Sequence, residues 1–105
     1  MSDVNTLLDA LKQRFNPDAA GDMDEIFQYD IEDEGSWHIL IKQAHCKVSP
    51  ADATEPSVTL SMSKDTLASV ISGETDGMQA FMMGDIKASG DVMLAARLTE
   101  LFPEQ

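Results

Sequence analysis

Residues 25–49 read EIFQYDIEDEGSWHILIKQAHCKVS, and whether this run is extended or helical decides the architecture. Phe27, Tyr29 and Ile31 alternate with Gln28, Asp30 and Glu32; Trp37, Ile39 and Ile41 alternate with His38, Leu40 and Lys42. A period of two gathers each apolar set on one face of a strand, where a helix would scatter it. Gly35 marks the turn between the two strands. For both apolar faces to fall on the same side the loop must hold an odd number of residues. The simplest expectation is Glu34-Gly35-Ser36, with Ile31 opposite Ile39 and the glycine at positive φ. A short third strand, His45 to Ser49, follows a turn at Gln43-Ala44.

Outward from this meander the period changes. Upstream, Val4, Leu7, Leu8, Leu11 and Phe15 fall on one face of an amphipathic helix, which Ser2 or Asp3 can cap and Asn16-Pro17 ends. NPDAAGDMD then reads as a loop. Downstream, PADATEP is a loop, and Val58, Leu60 and Met62 share one face of a fourth strand. Ser63 caps a helix with Leu67, Val70 and Ile71 as its apolar stripe and Gly73 as its stop. Thr75 or Asp76 opens a short helix carrying Met78, Phe81 and Met82, with Gly84 at its end. DIKAS reads as a fifth strand. Gly90-Asp91 opens a last helix with Val92, Leu94, Leu98 and Leu101, closed by Pro103. The expected class is α+β: a twisted, mixed, mostly antiparallel five-stranded sheet with helices on one face. At 105 residues the chain is expected to form one domain, 1–105.

Composition narrows the partners. The formal net charge is -12, and the seven basic residues form no run. Nucleic acid is therefore not an expected partner, since phosphate contacts need clustered Lys and Arg. Docking on an anionic membrane is disfavoured for the same reason. No apolar run approaches the roughly 20 residues of a membrane span. The N-terminus lacks the pattern of a signal peptide, the FPEQ end is no peroxisomal or prenylation signal, and one cysteine permits no internal disulfide. Cytoplasmic placement is the default expectation.

The chain offers little to catalysis. His38 and His45 are its only histidines; His38 falls on the strand face opposite Trp37, and no set of three or four metal ligands converges. The acidic run DMDEIFQYDIEDE lacks the spaced ligands and mid-loop glycine of a calcium loop. Cys46 adjoins Lys47, but His45 as its strand neighbour points to the other face, so a nucleophilic role for Cys46 is the weakest reading. No serine stands in a GxSxG elbow, and SGETDG has no GK[ST] and is acidic. Neither metal nor cofactor is expected, and the chain reads as no enzyme.

The segment ISGETDGMQAFMMGDIKASGD, residues 71–91, is the unusual one. Met78, Met82 and Met83 surround Phe81, and Gly73, Gly77 and Gly84 bound them; four of seven methionines fall within residues 78–93. Unbranched thioethers adapt to varied apolar shapes and recur at promiscuous binding surfaces. Together with VTL-x-MS before it, the GSWHILIK strand, the GDIKASGD run and the closing LAARLTELF helix, this segment resembles the sterol carrier protein 2, or sterol-transfer, domain family. The resemblance covers residues 20–102, with the N-terminal helix also in place. Departures are Gln43-Ala44, where the family often carries an Asp-Gly type turn, and the lack of the peroxisomal tail of eukaryotic members.

The resemblance implies an apolar tunnel between sheet and helices that takes sterols, fatty acids, fatty acyl-CoA or similar lipids, with no catalytic residue. By position the implied lining is Leu60, Met62 and Ile86 from the sheet side, Leu67, Val70, Ile71, Met78, Phe81 and Met82 from the middle helices, and Leu94 and Leu98 from the last. A head group at the mouth would need Lys64, Lys87 or Arg97 to offset the negative charge. A cavity of roughly 300 Å³ or more under residues 67–82 is the structural expectation. The chain is expected to be a monomer or weak homodimer. The alternative is an interaction module, whose apolar groove takes a partner's helix or forms a homodimer, as accessory to a lipid- or quinone-pathway enzyme.

Overall fold

In the computed structural model, residues 3–103 are described. Helix α1 spans Val4–Lys12, with Asp3 accepting from the Thr6 N–H as its cap and Val4, Leu7, Leu8 and Leu11 buried. Ser2, the other candidate cap, lies outside the described residues, as do Glu104 and Gln105. The segment expected to be all loop holds a four-residue helix, α2 (Pro17–Ala20), capped by Asn16. Proline at the first helical position explains it, since its missing N–H has no intrahelical partner there.

The sheet comprises β1 (Asp24–Ile31), β2 (Gly35–Lys42), β3 (His45–Ser49), β4 (Val58–Met62) and β5 (Lys87–Gly90). Its order is β3-β2-β1-β4-β5; β1 and β4 run parallel and the other pairs antiparallel. The mixed, mostly antiparallel α+β class is thus the fold observed. One register differs from expectation: Ile31 pairs with Gly35, Tyr29 with Trp37 and Phe27 with Ile39, so the loop is Glu32-Asp33-Glu34. Three residues keep the required parity. The shift gives Trp37 an aromatic partner, where the expected register would set it against Asp33. Asp33 takes a φ of 63° in this turn, a conformation its short polar side chain tolerates.

The alternating residues of β1, β2 and β4 meet the apolar helix residues in a single core, within which Phe27, Ile39, Ile41 and Leu8 are fully buried. Trp37 joins sheet to α1 by donating from Nε1 to Asn5 Oδ1 at 2.7 Å. The opposite face is polar and is strapped by residues 50–57 on their way from β3 to β4. There the Ala53 N–H donates to Gln28 Oε1 at 3.0 Å, and the Nδ1–H of His38 donates to the Ala51 carbonyl at 2.7 Å.

The later helices are α3 (Lys64–Ser72), α4 (Gly77–Met83), α5 (Val92–Ala96) and α6 (Leu98–Leu101). Ser63, Asp76 and Asp91 cap the first three, and Gly73 and Gly84 end α3 and α4 in the left-handed region. The single closing helix expected from sequence is broken at Arg97. Its N–H bonds to Leu94 at 2.9 Å, three residues back, which tightens the turn and resets the helical phase. Among the described residues no helix is long and apolar enough to cross a membrane.

Candidate functional site

The late helices are short because their sequences stop them early, and short helices on a twisted sheet leave space beneath. Between α3, α4, the α5–α6 break and the sheet lies a pocket of about 390 Å³. It is a partly open cleft with a mostly apolar lining. Its floor is Tyr29, Leu60 and Met62. Leu67, Val70 and Ile71 of α3 form one wall, and Gly77, Met78 and Phe81 of α4, with Ile86 after it, form the next. Ala95, Leu98, Thr99 and Phe102 face them, and Leu11 and Arg14 close the side toward α1. Gly77 and Ala95 widen the space by what they lack. Phe102 is steadied by Phe15, ring centroids 5.9 Å apart.

Nine of the eleven residues expected at this site border the pocket: Leu60, Met62, Leu67, Val70, Ile71, Met78, Phe81, Ile86 and Leu98. Two do not. Met82 is 84% exposed and points away from the pocket. Leu94 packs on the core, and the phase reset at Arg97 puts Ala95 at the pocket in its place.

The polar groups at the pocket are few. Arg14 is the one cation among the lining residues, and Lys64, Lys87 and Arg97, the cations expected near the mouth, are not among them. Arg14 donates from its guanidinium to the carbonyl of Ile71, in the last turn of α3, where a cation is favoured by the helix dipole. Four further guanidinium N–H donors remain for other acceptors. A signal for Arg14 was present in the sequence, since it lies three residues after Leu11 and therefore beside the apolar stripe. Tyr29 brings a phenol to the floor, and burial, with Cys46 adding to it, pushes its pKa well above the usual tyrosine range. Asp76 and Thr99 are exposed members of the rim.

Outside the pocket, Cys46 sits opposite Ile41, half-buried against the core. Burial pushes its thiol up to about 11, with Lys12 pulling slightly the other way. It is therefore a thiol at neutral pH, not the thiolate that nucleophilic chemistry requires. Among the described residues no three His, Cys, Asp or Glu side chains gather as a metal site would need.

A half-covered sheet with a concave, mostly apolar hollow beneath its helices, with Arg14 as the one cation in its lining, has the form of a small-molecule pocket domain. The chain belongs to the SCP-2 sterol transfer family, whose model matches residues 4–103. A domain of this family is generally a non-catalytic lipid-binding unit. The chain is 29% identical over 82 residues to hydroxysteroid dehydrogenase-like protein 2 of Mus musculus, a match over 75% of this chain and 17% of that protein. It therefore spans less than a fifth of this curated relative. Its fold is shared with palmitated SCP2L2 from Aedes aegypti (TM-score 0.79, 24% identity, 99% of this chain and 97% of that one). It is shared too with the stereoselective inverting sec-alkylsulfatase Pisa1 from Pseudomonas sp. (TM-score 0.85, 19% identity, 99% of this chain and 17% of that one).

Proposed function

We infer that this chain binds and carries a long-chain lipid in the pocket beneath α3 and α4 and performs no chemistry on it. The observation that carries this reading is the 390 Å³ hollow lined by Leu, Ile, Met and Phe. Counting about 30 Å³ per water-sized group, it has room for on the order of a dozen chain carbons. Burying ten methylenes contributes about 8 kcal/mol, against roughly 4 kcal/mol or more for lost ligand freedom, so a chain binds without any strong polar contact. Methylenes discriminate weakly, and selectivity falls to the head group. Arg14 favours a carboxylate, which makes a free fatty acid a better fit than a sterol; the palmitated Aedes relative agrees with that class.

The test is a delipidated sample titrated with a fluorescent fatty acid and with the matched fatty alcohol. Saturable binding is expected for both, tighter for the acid. Phe81→Asp, which sets a charge in the wall, should abolish both, whereas Arg14→Met should erase the preference for the acid. No saturable binding across a panel of fatty acids, acyl-CoA and sterol analogues would reject the carrier reading.

A second reading, an accessory module for a larger lipid-pathway enzyme, draws on the mouse and Pseudomonas relatives, in which the matching part is only 17% of the chain. Light scattering and a pull-down against candidate lipid- or quinone-pathway enzymes separate the two. A stable dimer or complex indifferent to added lipid would favour the accessory role.

A further inference from the structure

Among the described residues the large apolar side chains left exposed are Met78 (39%), Met82 (84%), Met83 (69%), Val92 (46%) and Met93 (77%). They belong to two elements only, α4 and α5. Apolar residues exposed singly are ordinary; here all of them fall on two helices that line the same pocket, which makes these helices the candidates for a contact surface. These two helices are also facing walls of the pocket: Met78 and Phe81 line it from α4 and Ala95 from α5. Met78 belongs to both sets, so the patch and the pocket share an edge.

We propose that the methionine face of α4 and α5 is the seat of this protein on a lipid surface without net charge, and that ligand passes between that surface and the pocket beside Met78. This rests on the lipid-carrier reading for the passage, but the docking surface stands on its own observations. The charge disfavours two occupants. Asp76 and Asp91 cap the two helices and Asp85 follows α4, so carboxylates border the methionines, within a chain of net charge -12. A bilayer rich in anionic lipid is repelled, and a second copy would bring the same carboxylates against these. A zwitterionic surface imposes neither penalty. Flexible thioethers suit its irregular acyl boundary.

The experiment is flotation of the full chain with vesicles of pure phosphatidylcholine and with vesicles rich in phosphatidylserine. The comparison is a variant carrying Met82→Ser, Met83→Ser and Met93→Ser, three positions away from the pocket lining. The wild type should float with phosphatidylcholine and more weakly with the anionic vesicles. The variant should lose at least about tenfold in vesicle affinity, while its titration with a soluble fluorescent fatty acid in the absence of vesicles is unchanged. Equal flotation of variant and wild type would overturn the proposal, as would a preference for anionic vesicles. So would a wild-type dimer that the three substitutions dissociate, since the face would then belong to a second copy. If vesicle binding behaves as stated but no fatty acid binds either form, the carrier reading fails and the docking surface remains.

Discussion

A methyl group at position 90 has nowhere to go. Gly90 pairs with Val58 at the β4–β5 edge at a φ of 97°, and a Cβ there would stand 2.8 Å from the Ser57 carbonyl oxygen and 3.3 Å from Val58 Cα, both backbone atoms that cannot swing aside. Gly84 has nearly the same strain, a φ of 87°, with open space around it. The pair separates strain from collision. Gly84→Ala should lower stability by about 1 kcal/mol through conformation alone, and Gly90→Ala by about 3 kcal/mol, since the backbone overlap adds to the strain. Urea unfolding midpoints compare them, and equal losses would refute the close approach. At the same scale the placement of Met82 shows where periodicity is too coarse. With 100° per residue, Phe81 and Gly77 lie on one side of Met78 around α4, whereas Met82 lies about 40° to the other side. Met78 is already the edge of the lining arc, so its i+4 neighbour falls outside it.

The elements were legible where a repeat lasted long enough to be read. Eight-residue strands with period two, and α1 and α3 with their caps, follow from local pattern and capping chemistry. What pattern could not supply was any feature set by which side chains meet: the Tyr29–Trp37 pairing that shifts the β1–β2 register, or the break at Arg97, whose guanidinium reaches the distant Ala19 carbonyl in α2. The place of Arg14 beside the apolar stripe is legible in the sequence, but only the fold brings it to the end of α3. The β2–β3 hairpin is a case in which the sequence is suboptimal for its own structure. Gln43 and Ala44 form its two-residue turn at φ of 52° and 58°, the geometry that favours Asn-Gly. Neither side chain helps it, and Ala44 bears the left-handed strain without a hydrogen bond in return. Ala44→Gly should therefore raise stability by about 1 kcal/mol despite removing a methyl group. Thermal melts of the two proteins measure it, and a lowered midpoint would mean that the Ala44 methyl contributes packing that outweighs the strain.

At the scale of the molecule, titration is divided between surface and interior. The carboxylates lie largely on the outside, where they set the net charge of -12 and with it the partners that can approach. The groups that titrate abnormally late are inside: Tyr29 on the pocket floor and Cys46 at the edge of the core. Burial is the main cause for both, and a thiolate at Cys46 further opposes a phenolate at Tyr29. Each is neutral when protonated and charged when not, and each has a folded pKa above its unfolded one. The native state therefore holds its proton more tightly, and the stability this confers is complete below the unfolded pKa and lost as pH rises through the folded one. For Cys46 the window runs from about 9 to about 11; for Tyr29 it opens at about 10. Unfolding midpoints in urea should be insensitive to these groups between pH 7 and 9 and should fall progressively from pH 9 upward. In Cys46→Ala the fall should begin about one pH unit later, since Tyr29 alone remains to drive it, and the thiol of the wild type should react with a disulfide probe far more slowly at pH 8 than a free cysteine does. If wild type and Cys46→Ala instead lose stability in parallel from pH 9, the interior thiol is not what couples this fold to alkali.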